Sequence, residues 1–313
     1  MTTEILLALT ASVFGATASV LQRNAARPAP GRLRFSWRLV LFLVHRPAFF
    51  LGIVCMLAGF GFQLTALHFG PLALVQPVIA SELLFVFAFL ALHERGRVRG
   101  RDWVAAGGMA LSLGGLLYVA DPTGGVASVG DTTLWALAAG ATAAGALTAV
   151  GLSHVSFRGG GPPTPAHRAA LLGVAAAMVW GFVAAVVKEL GYFAGRGVSA
   201  VFTDWSPYVL VAVGALGLFL VSNAFQAGPL AASQPSLTIV EPIVSAALGV
   251  LVFREHMHHT PLDLALEVVL LVTMVVSVVF LVRSPVVAVD VRAGPAGPRA
   301  TAVAEGGRRP SSD

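Results

Sequence analysis

Residues 70–82 read Gly-Pro-Leu-Ala-Leu-Val-Gln-Pro-Val-Ile-Ala-Ser-Glu, and residues 228–241 read Gly-Pro-Leu-Ala-Ala-Ser-Gln-Pro-Ser-Leu-Thr-Ile-Val-Glu. Each stretch places a Gln-Pro pair and a carboxylate inside a long apolar run. Aligned without a gap at an offset of 158, residues 66–77 and 224–235 agree at seven of twelve positions: Ala66/Ala224, Gly70/Gly228, Pro71/Pro229, Leu72/Leu230, Ala73/Ala231, Gln76/Gln234 and Pro77/Pro235. Glu82 corresponds to Glu241 with one inserted residue, and His93-Glu94 to Arg254-Glu255 where the apolar runs end. A proline and an acid are both costly inside an apolar helix, so their recurrence marks one structural unit used twice.

The runs around these stretches set the fold class. The chain has 313 residues, of which 57% are hydrophobic and 11% charged, with a mean hydropathy of +0.83. Soluble domains carry about a quarter charged residues, so this is the composition of an all-α integral membrane protein. A pI near 10.3 would suit nucleic-acid binding if the basic side chains shared one face. They fall instead in short loops between apolar runs, so no nucleic-acid partner is expected. Cys55 is the single cysteine and lies in an apolar segment; it permits no intrachain disulfide and is read as packing. An acid and no base precede the first apolar run, which argues against a cleaved signal peptide.

A spanning helix needs about 20 mostly apolar residues, and nine segments qualify: 4–22, 48–68, 71–92, 103–120, 132–152, 169–190, 207–227, 229–253 and 261–282. A tenth, within residues 33–46, has only Leu39–Val44 free of charge and is read as a cytoplasmic or interfacial stretch. Residues 284–313 are rich in Pro, Gly, Ala and Arg without periodicity and are expected to form a disordered tail. With nine spans, seventeen of the 20 Lys and Arg residues gather on one side, against Lys188, Arg196 and Arg254 on the other. The bias predicts a plasma-membrane protein with the N-terminus outside and the C-terminus cytoplasmic, its arginine loops touching anionic lipid headgroups.

The first segment matches the sixth as the third matches the eighth. Phe14-Gly15 aligns with Trp180-Gly181, and Ala11, Gly15 and Ser19 align with Ala177, Gly181 and Ala185, two small-residue stripes that allow close helix approach. Five segments separate the copies, and an odd number means that they cross the membrane in opposite directions. The expected organisation is a first inverted repeat over 1–120, a connector with an unpaired fifth helix over 121–163, a second repeat over 164–283 and the tail over 284–313. Inverted repeats are a mark of secondary transporters, with the site near the midplane where the halves meet.

These residues resemble the drug/metabolite transporter superfamily, in its EamA-like form. The resemblance is carried by Gly228-Pro229-Leu230-Ala231-Ala232, Val240-Glu241-Pro242 and Phe253-Arg254-Glu255, with Gly70-Pro71 and Leu92-His93-Glu94-Arg95 in the first half. The nine-helix count is similar to the NIPA-type magnesium-transporter branch. So are Gln22-Arg23 and Val187-Lys188-Glu189-Leu190-Gly191 at the ends of the first and sixth segments. The chain departs from that branch in having Gln76-Pro77 and Gln234-Pro235 where the branch tends to have Thr-Pro. The resemblance implies a multi-pass transporter, with magnesium among the substrates it suggests.

Glu82 and Glu241 stand at the centres of their segments. A mid-bilayer carboxylate costs at least a few kcal/mol, so such groups face a bundle interior or a wet cavity. Gln234, Thr238, Glu241 and Ser245 share one face of a straight helix. Gln76, Ser81 and Glu82 form the matching set, although Gln76 and Glu82 share a face only if Pro77 kinks or unwinds the segment. Pro77, Pro235 and Pro242 free the carbonyls of Ala73, Ala231 and Thr238, which is tolerated where they line a cavity. Lys188-Glu189 reads as a snorkelling interface pair or a gate. His256, His258 and His259 read as a short polar turn or two metal ligands.

The expected function is secondary transport of a small solute or divalent cation by alternating access, with the two glutamates binding proton, cation or substrate. The alternative is a non-transporting scaffold, lipid-handling protein or sensor that reuses the fold. No metalloprotease motif, nucleophile motif or phosphate-binding glycine loop is present, so neither an enzyme nor a cofactor is expected. Membrane lipid and the cargo are the expected partners, and homodimerisation is left open.

Overall fold

The computed structural model describes residues 2–26, 47–93, 98–155, 163–228, 230–256 and 260–284. The segment 33–46, the tail beyond Ser284, and His258 and His259 lie outside the described residues. Among the described residues the secondary structure is helical apart from one isolated bridge between Thr123 and His256. The helices are α1 (Thr2–Ala26), α2 (Pro47–Phe69), α3 (Leu72–Ala80), α4 (Glu82–His93), α5 (Gly100–Ala120), α6 (Thr132–Ser153), α7 (Pro165–Ala194), α8 (Val198–Thr203), α9 (Ser206–Ala227), α10 (Leu230–Leu251) and α11 (Pro261–Val282). Eight spans among the described residues are long and apolar enough to cross a membrane, α3 and α4 together making one of them. α9, apolar over Ser206–Val221, occupies the position of the seventh expected segment.

Helix boundaries follow local chemistry. Asp131 accepts from the amides of Thr133 and Leu134 at the start of α6, Thr164 caps α7 ahead of Pro165, and Thr260 and Asp263 form a reciprocal capping box at α11. Such caps each contribute roughly 1 kcal/mol. α7 is longer than its expected span, running over 30 residues, and the six-residue α8 has no counterpart in the hydropathy reading.

α7 is the central post. It packs on α10, α9 and α6, while α1 packs on α2, α3 and α4, and α5 pairs with α11. One apolar core joins Ala8, Leu72, Val75 and Val78 to Phe182, Val186, Leu248 and Phe253; a second joins Leu83 and Phe87 of α4 to Met109 of α5 and Val278 of α11. The small residues sit where backbones approach. A Cβ on Gly59 of α2 would lie 3.2 Å from the Ala11 carbonyl and 3.3 Å from Phe14 Cβ, and one on Gly217 of α9 would lie 3.1 Å from the Trp180 ring. Gly59 and Gly217 are themselves 158 residues apart.

Gly181 of α7 has a tight berth against α10, since a Cβ there would come within 2.8 Å of Val244 and 3.2 Å of the Glu241 carbonyl. Gly140 of α6 has nothing within 4 Å of the same position. Overpacking a tight site costs about 1–3 kcal/mol. Gly181→Val is therefore expected to lower the thermal midpoint of the detergent-purified protein clearly, while Gly140→Val leaves it nearly unchanged, as read by a melting curve.

Candidate functional site

The break between α3 and α4 positions the first glutamate. Pro77 donates no hydrogen bond and its ring crowds the preceding turn, and the span gives way at Ser81, whose amide returns to the Val78 carbonyl at 3.0 Å. Ser12 of α1 answers the carbonyls left over, its hydroxyl lying 3.2 Å from Val78 O and 3.4 Å from Ile79 O as well as 2.9 Å from Ala8 O. Glu82 thus becomes the first residue of α4, at the helix end where a carboxylate is favoured. Ser19 of α1 donates to Glu82 Oε1 at 2.9 Å. A Cβ on Gly15 would lie 2.6 Å from Glu82 Oε2, so the glycine makes the room that the carboxylate fills.

Glu241 lies within the unbroken α10, between Pro235 and Pro242. The described residues place no hydrogen bond on its carboxylate. Its main-chain carbonyl accepts from Ser245 Oγ at 2.8 Å, as that of Gln234 accepts from Thr238 Oγ1 at 3.2 Å. The polar face of α10 is present, with its hydroxyl protons directed to its own backbone. Both glutamates are partly buried, and they lie within electrostatic reach of each other. Gln76 is buried with Nε2 unpartnered among the described residues, and the buried hydroxyls of Ser81 and Ser233 are likewise unpartnered.

Lys188 and Glu189 correct one expectation. Neither snorkels: they are 5% and 2% exposed and point to different partners. Glu189 accepts from Ser128 Oγ at 2.6 Å and from the Val129 amide at 3.1 Å. Lys188 donates to Glu255 and lies 4.6 Å from the centre of the Phe253 ring. Glu255 also accepts from the amides of Leu72 at 2.5 Å and Ala73 at 2.9 Å, which are first-turn amides of α3 with no partner inside their own helix. Glu255 is thus both the counter-ion of Lys188 and the cap of α3.

Over this cluster folds the connection from α5 to α6. Thr123 and His256 exchange backbone hydrogen bonds of 2.9 Å each, Val126 donates to the Phe253 carbonyl at 2.7 Å, and Trp135 donates to the Val129 carbonyl at 3.0 Å. Beside it a cavity of about 350 Å³ opens at the N-terminal end of the bundle, lined by Glu4, His68, Gly70, residues 122–127 and Lys188 among others. Among the described residues no group of three or more His, Cys, Asp or Glu could hold a metal ion.

Sequence reading undervalued three of these residues. Glu255 was visible as the end of a repeated motif, without any sign that it reaches back to Leu72. Ser12 directly follows the α1 stripe position Ala11 and Ser19 is itself in the stripe, one turn after Gly15; a serine in or beside such a stripe facing a proline-containing span is the signal that could have found them.

No family model matches the chain, and no solved structure matches it. An uncharacterized protein of Corynebacterium glutamicum is 26% identical over 284 residues, covering 90% of this chain and 94% of that protein.

Removing one member of a buried ion pair leaves the other uncompensated and costs about 3–5 kcal/mol. Glu255→Ala is therefore expected to reduce the yield of folded protein sharply, as it strands Lys188 and uncaps α3. The double variant K188M/E255Q removes both charges and keeps an amide oxygen for Leu72, so it should recover most of the loss by the same size-exclusion and melting measurements.

Proposed function

We propose that this protein is a secondary transporter of the drug/metabolite transporter superfamily, moving a small solute or a divalent cation such as Mg²⁺ across the plasma membrane by alternating access. In this reading two inverted repeats meet at Glu82 and Glu241, which bind proton, cation or substrate, with Gln76, Ser81, Gln234, Thr238 and Ser245 extending the polar surface. The N-terminus lies outside and the C-terminus in the cytoplasm.

One observation carries the reading: the acids differ in how they are satisfied. Glu189 and Glu255 have their acceptors filled by named donors. Glu82 has Ser19, and the described residues supply Glu241 with nothing. A buried carboxylate without partners takes a proton or a cation, and two within electrostatic reach of each other give a site with capacity for either. The repeat is supported by paired environments: Gly15 abuts Glu82 and Gly181 abuts the Glu241 backbone, and Gly59 meets Phe14 as Gly217 meets Trp180.

The test is uptake into proteoliposomes across a panel of Mg²⁺, amino acids and cationic drugs, with and without a proton gradient. Transport of at least one class is expected. E82Q and E241Q should each reduce it about tenfold or more, a factor of ten corresponding to about 1.4 kcal/mol. Normal transport by both variants across a range of pH would remove the glutamates from the mechanism, and no uptake of any solute would favour a scaffold.

A further inference from the structure

We propose that the Lys188–Glu255 pair, seated on the first turn of α3, is the latch that closes the N-terminal end of the bundle. The purpose of such a latch rests on the transporter reading, since alternating access requires each end to be sealed in turn; its geometry stands on its own. The cavity of about 350 Å³ at this end reaches Lys188 and Leu74, and Leu72 and Val75, which do not line it, are fully buried. The pair therefore stands at the floor of the cavity, at the start of the helix that leads to Glu82.

The latch joins three elements through one carboxylate: Lys188 from α7, Glu255 from the turn after α10, and the amides of Leu72 and Ala73 from α3. Its seat is shaped for it. A Cβ on Gly249 would overlap Glu255 Oε2, and one on Gly125 would lie 2.8 Å from Glu255 Cγ. Charge-assisted bonds of this kind are strong while they last, and because all three converge on Glu255, a single displacement releases them together.

The surroundings are built to switch. Arg254 sits at φ 54°, a backbone state that a bulky residue holds only where its neighbours impose it. The strap over the latch contains Gly124 and Gly125 at φ 71° and 89°, a turn that needs glycine. α3 is only nine residues long and ends at Ser81, so it can pivot as a unit about the break. Glu82 follows that hinge directly, and a pivot of α3 away from Glu255 would open the path from the cavity towards Glu82. Opening the end and reshaping the glutamate site then become one motion.

The experiment uses the full-length chain in proteoliposomes with Cys55→Ser, and a cysteine at Val75 or at Ser233, buried near the other end of the bundle, labelled by a membrane-impermeant thiosulfonate from each side. In K188M/E255Q, Val75→Cys is expected to react at least about tenfold faster from the N-terminal side, a population shift of that size being what loss of the latch should give. Ser233→Cys is expected to react more slowly from the opposite side. Glu255→Asp, which keeps the charge and shortens the reach, should give an intermediate rate at Val75→Cys. Unchanged rates at Val75→Cys in both latch variants would overturn the latch, and faster Val75→Cys labelling with no change at Ser233→Cys would reduce it to a static seal. Reciprocal labelling without uptake of any solute would keep the latch and remove the transporter reading; uptake with unchanged labelling would do the reverse.

Discussion

A bilayer core offers the backbone no hydrogen-bond partner, so a spanning helix that breaks must find its replacements within the protein. The third span breaks at Ser81 and begins on a Gly-Pro turn with no side-chain cap of its own, and the arrangement of α1, α7 and the end of α10 follows from serving it. Ser12 reaches the carbonyls of Val78 and Ile79, and Glu255 reaches the amides of Leu72 and Ala73. A carboxylate brought to that depth needs a counter-charge, which places Lys188 inside the bundle. That lysine in turn needs cover, and the strap of residues 122–127 with Phe253 supplies it.

The two corresponding spans solve the same problem differently. α10 carries two prolines yet stays continuous from Leu230 to Leu251, with Ser236, Thr238 and Ser245 each directed to the carbonyl four residues back. The α3–α4 span carries one proline and breaks, and its freed carbonyls are answered from another helix. In α10 the hydroxyls bond to carbonyls of their own helix, whereas at the α3–α4 break a donor comes from a neighbouring helix.

Most of the spans were legible because each is a continuous apolar run bounded by charge, Gly or Pro, and such runs are read without knowing any contact. The boundary between the second and third spans, at residues 69–70, and Pro77 as the place where the third span could kink were legible for the same local reason. Lys188 and Glu189 were not. Their position near a helix end suggests an interface, and only the long-range docking of residues 121–131 and 252–256 buries them. The short α8 carries too few residues for a hydropathy signal. Ser12 and Ser19 were hidden because what distinguishes them is their partners on the third span, more than 60 positions away in the chain.

What separates a carrier from a scaffold here is the cost of Glu82 and Glu241. A scaffold could pack α1 against the third span with an apolar side chain at position 82, and replacing buried charges by well-packed apolar residues is commonly neutral or stabilising. Glu189 and Glu255 have an evident structural return, since each satisfies backbone amides that would otherwise be orphaned. Glu82 and Glu241 satisfy no backbone amide among the described residues. The Glu82 carboxylate rests instead on Gly15 and the Ser19 hydroxyl. If the two carboxylates lie at the depth proposed for them, each costs a few kcal/mol with no backbone amide satisfied in return, and it is this cost that the proposed proton or cation site accounts for and a passive framework does not.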